Sequence, residues 1–323
     1  MDDVYTVMNV DMPNTPHAHD PVFIFGVPRS GTTLLFRTLL RHPEFLPEQS
    51  APELFFVESK VFQFANDRNR FLKLFMGGDE QEYSEFLKKT FLTRSINRVY
   101  RSYPLRRWVE ECPPRVRAKL WKTLGQDKLV RSYFEHVKAA KKCNRVLEKT
   151  PIHYKFFPEI TESFPGASFI WIYRHPVDVF ASYRRRGTDE RDQKLTPTEG
   201  DRWLSVTVKD FADRYKEGIK AMNTLSAFNP DLHYSLSYED LVANPEPTIK
   251  RLCGFLNIDY DRNCIEGGEK NILDLRDPLL SEPIQSKTKD WSDYLSEDEV
   301  NQLQHLLLDD LESLGYPHYD FPV

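Results

Sequence analysis

Four short strand-like runs punctuate the chain, separated by stretches of helical character. Val22-Phe23-Ile24-Phe25 is the first, and an apolar helix-like run follows it until His42-Pro43. The second, Arg145-Val-Leu-Glu-Lys149, runs into Thr150-Pro151. The third, ASFIWIY at 167–173, is apolar without alternation, as in a strand buried on both faces. It leads through His175-Pro176 into a helix that reaches about Arg186. LHYSLSY at 232–238 is the fourth, ahead of Glu239-Asp240 and a helix near 246–257. Strands alternating with helices predict a parallel α/β sheet.

Between the first two strands, residues 57–140 show helical periodicity with many aromatics, among them Phe62, Phe71, Phe75, Phe86 and Phe91. Gly77-Gly78 and Pro113-Pro114 break this stretch, which reads as several helices inserted into the sheet domain. The rings are core in the plainer reading, and their place in the chain also suits a lid over a substrate. Residues 1–20 read as a flexible lead-in, 275–294 as an irregular loop and 296–314 as one terminal amphipathic helix.

Composition narrows the class. The 323 residues suffice for a sizeable core, and 40% hydrophobic with 29% charged residues is ordinary for a soluble domain. A net charge of −5 gives nucleic acid no support as the main partner. Nine Lys/Arg from Arg94 to Lys122 face only Glu110 and Glu111; this reads as a solvated helix face or as a landing surface for an acidic acceptor. Cys112, Cys143, Cys253 and Cys264 form no C-x-x-C and read as reduced thiols, which points to the cytoplasm. The first twenty residues lack the apolar core of a signal peptide, and no stretch reaches the ~18 apolar residues of a membrane span. The expectation is a protein soluble as encoded, or an excised domain.

The chemistry gathers after the strands. Gly26-Val-Pro-Arg-Ser-Gly31-Thr32-Thr33 lies between a buried strand and a helix, where backbone N–H groups and the helix start surround an anion. Ser30, Thr32 and Thr33 add hydroxyl donors. The Walker pattern would place lysine after Gly31, but Thr32 stands there and the nearest cation is Arg29. That argues against γ-phosphate chemistry. Arg174 follows the third strand directly, so it enters the crevice at the strand ends, and Ser182 lies two helical turns on. Together they suggest a second phosphate subsite. The plain alternatives are a ligand-free turn, and an Arg174 paired with Asp178.

PVFIFGVPRSGTTLL, FIWIYRHPVDVFASY and SYEDLVANPEPTIKRLCGFL resemble the three signature regions of sulfotransferases that use 3′-phosphoadenylyl sulfate (PAPS). EKTPIH and SFPGASFI resemble the intervening segment of that family's bacterial, Golgi and polyketide-associated branch. The likeness implies an α/β fold of P-loop type: a three-layer sandwich with a central parallel sheet and a helical insertion, in a single domain over 21–323. It implies that Arg29, Ser30, Gly31, Thr32 and Thr33 hold the 5′-phosphosulfate, Arg174 and Ser182 the 3′-phosphate, and that Tyr238 lines the nucleotide pocket.

Two positions depart from the cytosolic members. Leu34 stands where an aromatic stacks on adenine. Ile284-Gln285-Ser286 stands where Arg-Lys-Gly closes the 3′-phosphate site ahead of Asp290-Trp291, so Ser286, Lys287 or Lys289 substitutes there. The acceptor hydroxyl needs a base as it attacks sulfur. In QSAPELFF, Glu53 is the first choice, with Glu48 nearby; His153 of KTPIH is the runner-up, and Lys149 orients its neighbours. The expected reaction is sulfuryl transfer from PAPS to an acceptor hydroxyl, small or carrier-bound, with adenosine 3′,5′-bisphosphate released and no metal required. The alternatives are an ATP-dependent small-molecule kinase and a catalytically silent nucleotide-binding module.

Overall fold

The computed structural model describes residues 19–45, 114–123, 125–188, 206–266, 284 and 291–319. The first part of the chain runs β1 (Val22–Phe25), α1 (Thr32–Leu40), α2 (Pro114–Thr123), α3 (Gln126–Lys141) and β2 (Leu147–Lys149). After a 3-10 turn at Pro151–Phe156 come α4 (Phe157–Ser163), β3 (Ser168–Tyr173), α5 (Pro176–Thr188), α6 (Val208–Phe228) and β4 (His233–Ser237). The remainder is α7 (Tyr238–Ala243), α8 (Pro245–Leu256), α9 (Asn263–Glu266), α10 (Glu297–Leu306) and α11 (Leu308–Leu314). The lead-in at 1–18 and the inserted helices at 57–113 lie outside the described residues.

Among the described residues all strand pairs are parallel, in the order β2-β1-β3-β4. β1 shows why the central strands lack polar alternation, since all four of its residues are buried. Phe23 and Phe25 face one core with Phe169 and Trp171, their register partners on β3. Val22 and Ile24 face a second core with Ile170 and Ile172. Residues of α3, α4, α5, α6 and α10 fill the first core, and residues of α1, α7 and α8 the second. A sheet clad on both faces is the expected three-layer sandwich.

The strand order also fixes where a ligand sits. From β1 the chain moves outward to β2, then crosses back to β3 on the other side of β1. The connections therefore part at the carboxyl ends of β1 and β3, the topological switch point where open α/β sheets bind ligands. The loop at 26–31 and Arg174 both leave the sheet there.

Several helices begin where the sequence supplies a cap. Thr207 caps α6 and Ser237 caps α7, each accepting an N–H from an aspartate three residues on. Ser296 and Glu299 form a reciprocal capping box on α10. Among the boundaries that differ from the sequence reading, three have a visible cause. The second strand starts at Leu147, because the N–H of Arg145 turns to the Glu44 carbonyl instead. The fourth ends at Ser237, whose cap turns Tyr238 into the first residue of a helix. The terminal helix breaks at Leu307, which sinks completely into the first core between α10 and α11.

Candidate active site

The loop after β1 is shaped by close approach. A Cβ on Gly26 would lie 2.5 Å from the Ile172 carbonyl oxygen, so only glycine fits against β3 here. The Ser30 hydroxyl donates to that same carbonyl at 2.9 Å, and the Ser30 N–H donates to Val27 at 3.0 Å. Ser30, expected to face an anion, is turned inward and pins the loop to the sheet. Arg29 and Gly31 both have left-handed backbones, with φ of 76° and 104°. For a non-glycine such as Arg29 this conformation costs about 1 kcal/mol or more, strain of the kind found at ligand sites. Left-handed residues in such a turn gather N–H groups around an anion. α1 has no side-chain cap and no acid in its first turn, so its first N–H groups remain open to a ligand.

Three cations converge on this loop. The Lys149 ammonium, buried at the end of β2, donates to the Thr33 hydroxyl at 3.2 Å. A lysine from a neighbouring strand thus reaches the first turn of α1, close to where a Walker lysine would arise from within the loop. Arg29 Nε donates to the Ser182 hydroxyl at 3.1 Å, so the residues expected at the 5′ and 3′ ends of a nucleotide touch. Arg174 lies with its guanidinium carbon 4.3 Å from the centre of the Tyr238 ring. Its Nη2 is 3.7 Å from Asp178 Oδ2, longer than a hydrogen bond, and its buried Nε has no partner among the described residues. The plain alternative, Arg174 with Asp178, is therefore met only by a loose contact. Tyr238 in turn covers the loop, since a Cβ on Gly31 would lie 2.5 Å from its ring. The structure brings together Arg29, Ser30, Gly31, Thr32, Thr33, Arg174, Ser182 and Tyr238, as well as Lys149.

His153 sits elsewhere. It is fully buried, and its Nδ1 donates to Glu148 Oε2 at 3.1 Å. Glu148 Oε1 accepts the Thr150 hydroxyl at 2.6 Å. Glu148 faces the first core and Lys149 faces α1, because successive residues of a strand point to opposite sides. The carbonyl of Pro151, in the same turn, accepts the N–H of Gly26 at 3.4 Å. The buried network thus braces the turn beside the loop. Glu53, Glu48, Ser286, Lys287, Lys289 and Asp290 lie outside the described residues.

Sequence reasoning passed over Tyr215 and Tyr316. Tyr215, fully within the core on α6, donates its hydroxyl to the Arg174 carbonyl at 2.8 Å. Tyr316, beyond the last helix, donates to Glu239 at 2.7 Å. Neither position stands in a local motif; their only signal is a polar tip on an otherwise apolar side chain.

A parallel sheet with a glycine loop at its switch point, flanked by arginines beyond the ends of two strands, defines an α/β fold of P-loop type. The chain belongs to the sulfotransferase family, whose sequence profile matches residues 21–262. It is 28% identical over 270 residues to omega-hydroxy-beta-dihydromenaquinone-9 sulfotransferase Stf3 of Mycobacterium bovis, covering 75% of this chain and 63% of that protein. It is 25% identical over 219 residues to cytosolic sulfotransferase 17 of Arabidopsis thaliana, covering 57% of this chain and 60% of that protein. The matches thus span less than two thirds of these relatives. Among solved structures, the sulfotransferase domain of the Synechococcus PCC 7002 olefin synthase superposes over 98% of this chain and 100% of its own, with a TM-score of 0.57 and 20% identity. The sulfotransferase domain from the curacin biosynthetic pathway covers 93% and 99%, with a TM-score of 0.51 and 20% identity. Both share the fold. No described helix is long and apolar enough to cross a membrane.

Proposed function

We propose that this sulfotransferase moves a sulfuryl group from PAPS to an acceptor hydroxyl and releases adenosine 3′,5′-bisphosphate. The observation that carries the reading is the pair of cationic positions on either side of one loop. Lys149 and the backbone of residues 26–33 suit a 5′-phosphosulfate, and Arg174 with its unspent Nε suits a separate 3′-phosphate. Arg29, bonded to Ser182, belongs to the same loop. The acceptor oxygen attacks sulfur as the bond from sulfur to the bridging phosphate oxygen breaks, leaving the electron pair on the 5′-phosphate. Cations fixed beside that oxygen stabilise the charge as it develops, and in-line positioning supplies the rest. The acceptor proton goes to Glu53 as general base. His153, enclosed in the core, is read as a partner of Glu148 that shapes the turn carrying Lys149. Residues 21–323 form one domain in this reading, with the helices of 57–140 as the acceptor lid; the free thiols of Cys143, Cys253 and Cys264 support a reading as a cytoplasmic protein.

The decisive experiment offers PAPS labelled in its sulfuryl group with a panel of alcohols, phenols, sugars and carrier-bound β-hydroxyacyl chains. Label should pass to at least one acceptor, in the presence of EDTA. Glu53→Gln should lower kcat by ~10²–10⁴ with the affinity for adenosine 3′,5′-bisphosphate nearly unchanged. ATP turnover abolished by EDTA would instead make the protein a kinase, and binding without transfer to any acceptor would make it a silent module.

A further inference from the structure

The backbone that bears the Arg174 side chain is held from behind, by residues far away in the chain. The Arg174 carbonyl accepts the Tyr215 hydroxyl at 2.8 Å. The next N–H, that of His175, donates to Glu239 Oε1 at 3.1 Å. The single peptide group that joins Arg174 to His175 is therefore held at both its oxygen and its hydrogen, by side chains of α6 and α7. Glu239 also neighbours Tyr238, whose ring lies under the guanidinium. One carboxylate thus ties the strand end that bears the arginine to the helix that bears its ring.

The other oxygen of Glu239 faces the C-terminal segment, accepting the Tyr316 hydroxyl at 2.7 Å. Burial, then the Glu239 charge, pushes the Tyr316 pKa up, so the hydroxyl stays a donor. The His175 ring meets the same segment. Its Nε2 lies 3.1 Å from the Pro317 carbonyl, and its ring centre is 5.1 Å from that of Tyr316 and 4.5 Å from that of Tyr319. Burial lowers the His175 pKa, which keeps the ring neutral between these aromatic faces. Tyr319 is anchored in turn: its N–H donates to Gln304 Oε1 at 2.5 Å and its carbonyl accepts from Gln304 Nε2 at 3.2 Å. Residues 316–319, which follow α11 and are tied back to Gln304 of α10, form a strap against the Arg174–His175 backbone.

We propose that Glu239 and Tyr316 are positioning residues for Arg174, and that the strap at 316–319 sets the enzyme's selectivity for a 3′-phosphate. This rests on the reading of Arg174 as the 3′-phosphate ligand. The physical need is specific. Asp178 stands 3.7 Å from the guanidinium and competes for it, so an arginine released from behind turns toward its own carboxylate. A fixed guanidinium meets the phosphate without first leaving that neighbour, which is the advantage of preorganisation.

The test compares calorimetric affinities for adenosine 3′,5′-bisphosphate and AMP in the full chain and in Glu239→Gln and Tyr316→Phe. The unaltered protein should prefer the bisphosphate by about tenfold to a hundredfold, the worth of one charge-assisted contact. Each substitution should narrow that preference about threefold to tenfold, with AMP affinity within about twofold of the original. Equal affinities in the unaltered protein would remove Arg174 from the 3′-phosphate and the present reading of the site with it. A preference in the unaltered protein that survives both substitutions would overturn the strap's role alone. Parallel losses for both nucleotides would reduce Glu239 and Tyr316 to general structural parts, which also overturns it. Tyr316→Phe removes a single hydroxyl and keeps the ring, so it decides the matter if Glu239→Gln fails to fold.

Discussion

Arg145 and Arg174 stand at opposite ends of the same sheet and are held in opposite ways. Arg145 precedes β2 at the amino ends of the strands and is completely buried. Its guanidinium donates to the carbonyls of Asp20 and Leu256 at 2.9 and 3.1 Å and to the Ser168 hydroxyl at 3.0 Å. All three nitrogens are spent on the protein. Arg174, at the carboxyl ends, rests on a ring and a distant carboxylate, with Nε unspent. In the proposed reading the difference separates a structural cation from one reserved for a ligand, although both residues look alike in the sequence. A buried donor whose partners are all internal locks elements together; one left open by a rigid frame waits for something to enter.

That contrast can be broken most forcefully at Arg145. Arg145→Ala strands three acceptors, each costing about 1–3 kcal/mol, so a total loss of at least about 3 kcal/mol is expected in denaturant titration. A stability within about 1 kcal/mol of the original would mean that water replaces the guanidinium freely, and the distinction would collapse.

Acid should attack the same end of the molecule. His233 opens β4, and burial pulls its pKa down to about 4, with Nε2 lacking a partner among the described residues. The unfolded chain binds this proton near pH 6.5 and the folded protein only near 4. Stability is therefore complete above about pH 6.5 and falls as pH drops toward 4, by up to about 3 kcal/mol for this one group. His233→Leu should flatten that slope by one proton. An unchanged slope would assign the acid sensitivity to other groups.

Arg174→Ala should give the smallest loss of stability and a clear loss of binding. Affinity for adenosine 3′,5′-bisphosphate is expected to fall by ~1.5–3 kcal/mol, while the denaturant midpoint barely moves. A large fall in stability with binding intact would place Arg174 beside Arg145 among the structural residues.

Much of this frame is legible in the sequence. The runs at 22–25 and 168–173 announce themselves because strands clad on both faces cannot alternate. The loop and Arg174 are readable because each follows a strand directly, and strand ends are where a parallel sheet presents side chains to a ligand. What stayed hidden depends on separation. Lys149 meets Thr33 across 116 residues, Arg29 meets Ser182 across 153, and Tyr316 meets Glu239 across 77. No local period carries such pairs. The inward turn of Ser30 was hidden for a different reason, since a hydroxyl in a glycine loop serves an anion or a carbonyl equally well. The break at Leu307 was invisible because apolar spacing continues on both sides of it.

The central position of β1 has a consequence for how the molecule is made. Val22 pairs with Leu147, 125 positions further on, and with Ser168 on its other side. At ribosomal rates of ~5–20 residues per second, roughly 6–25 s separate the synthesis of the strand from that of its first neighbour. Through that interval an apolar segment destined for the middle of the protein has no sheet to join. The nascent chain carries it without its strand partners, so the first of the four described strands to be made is paired no sooner than the second.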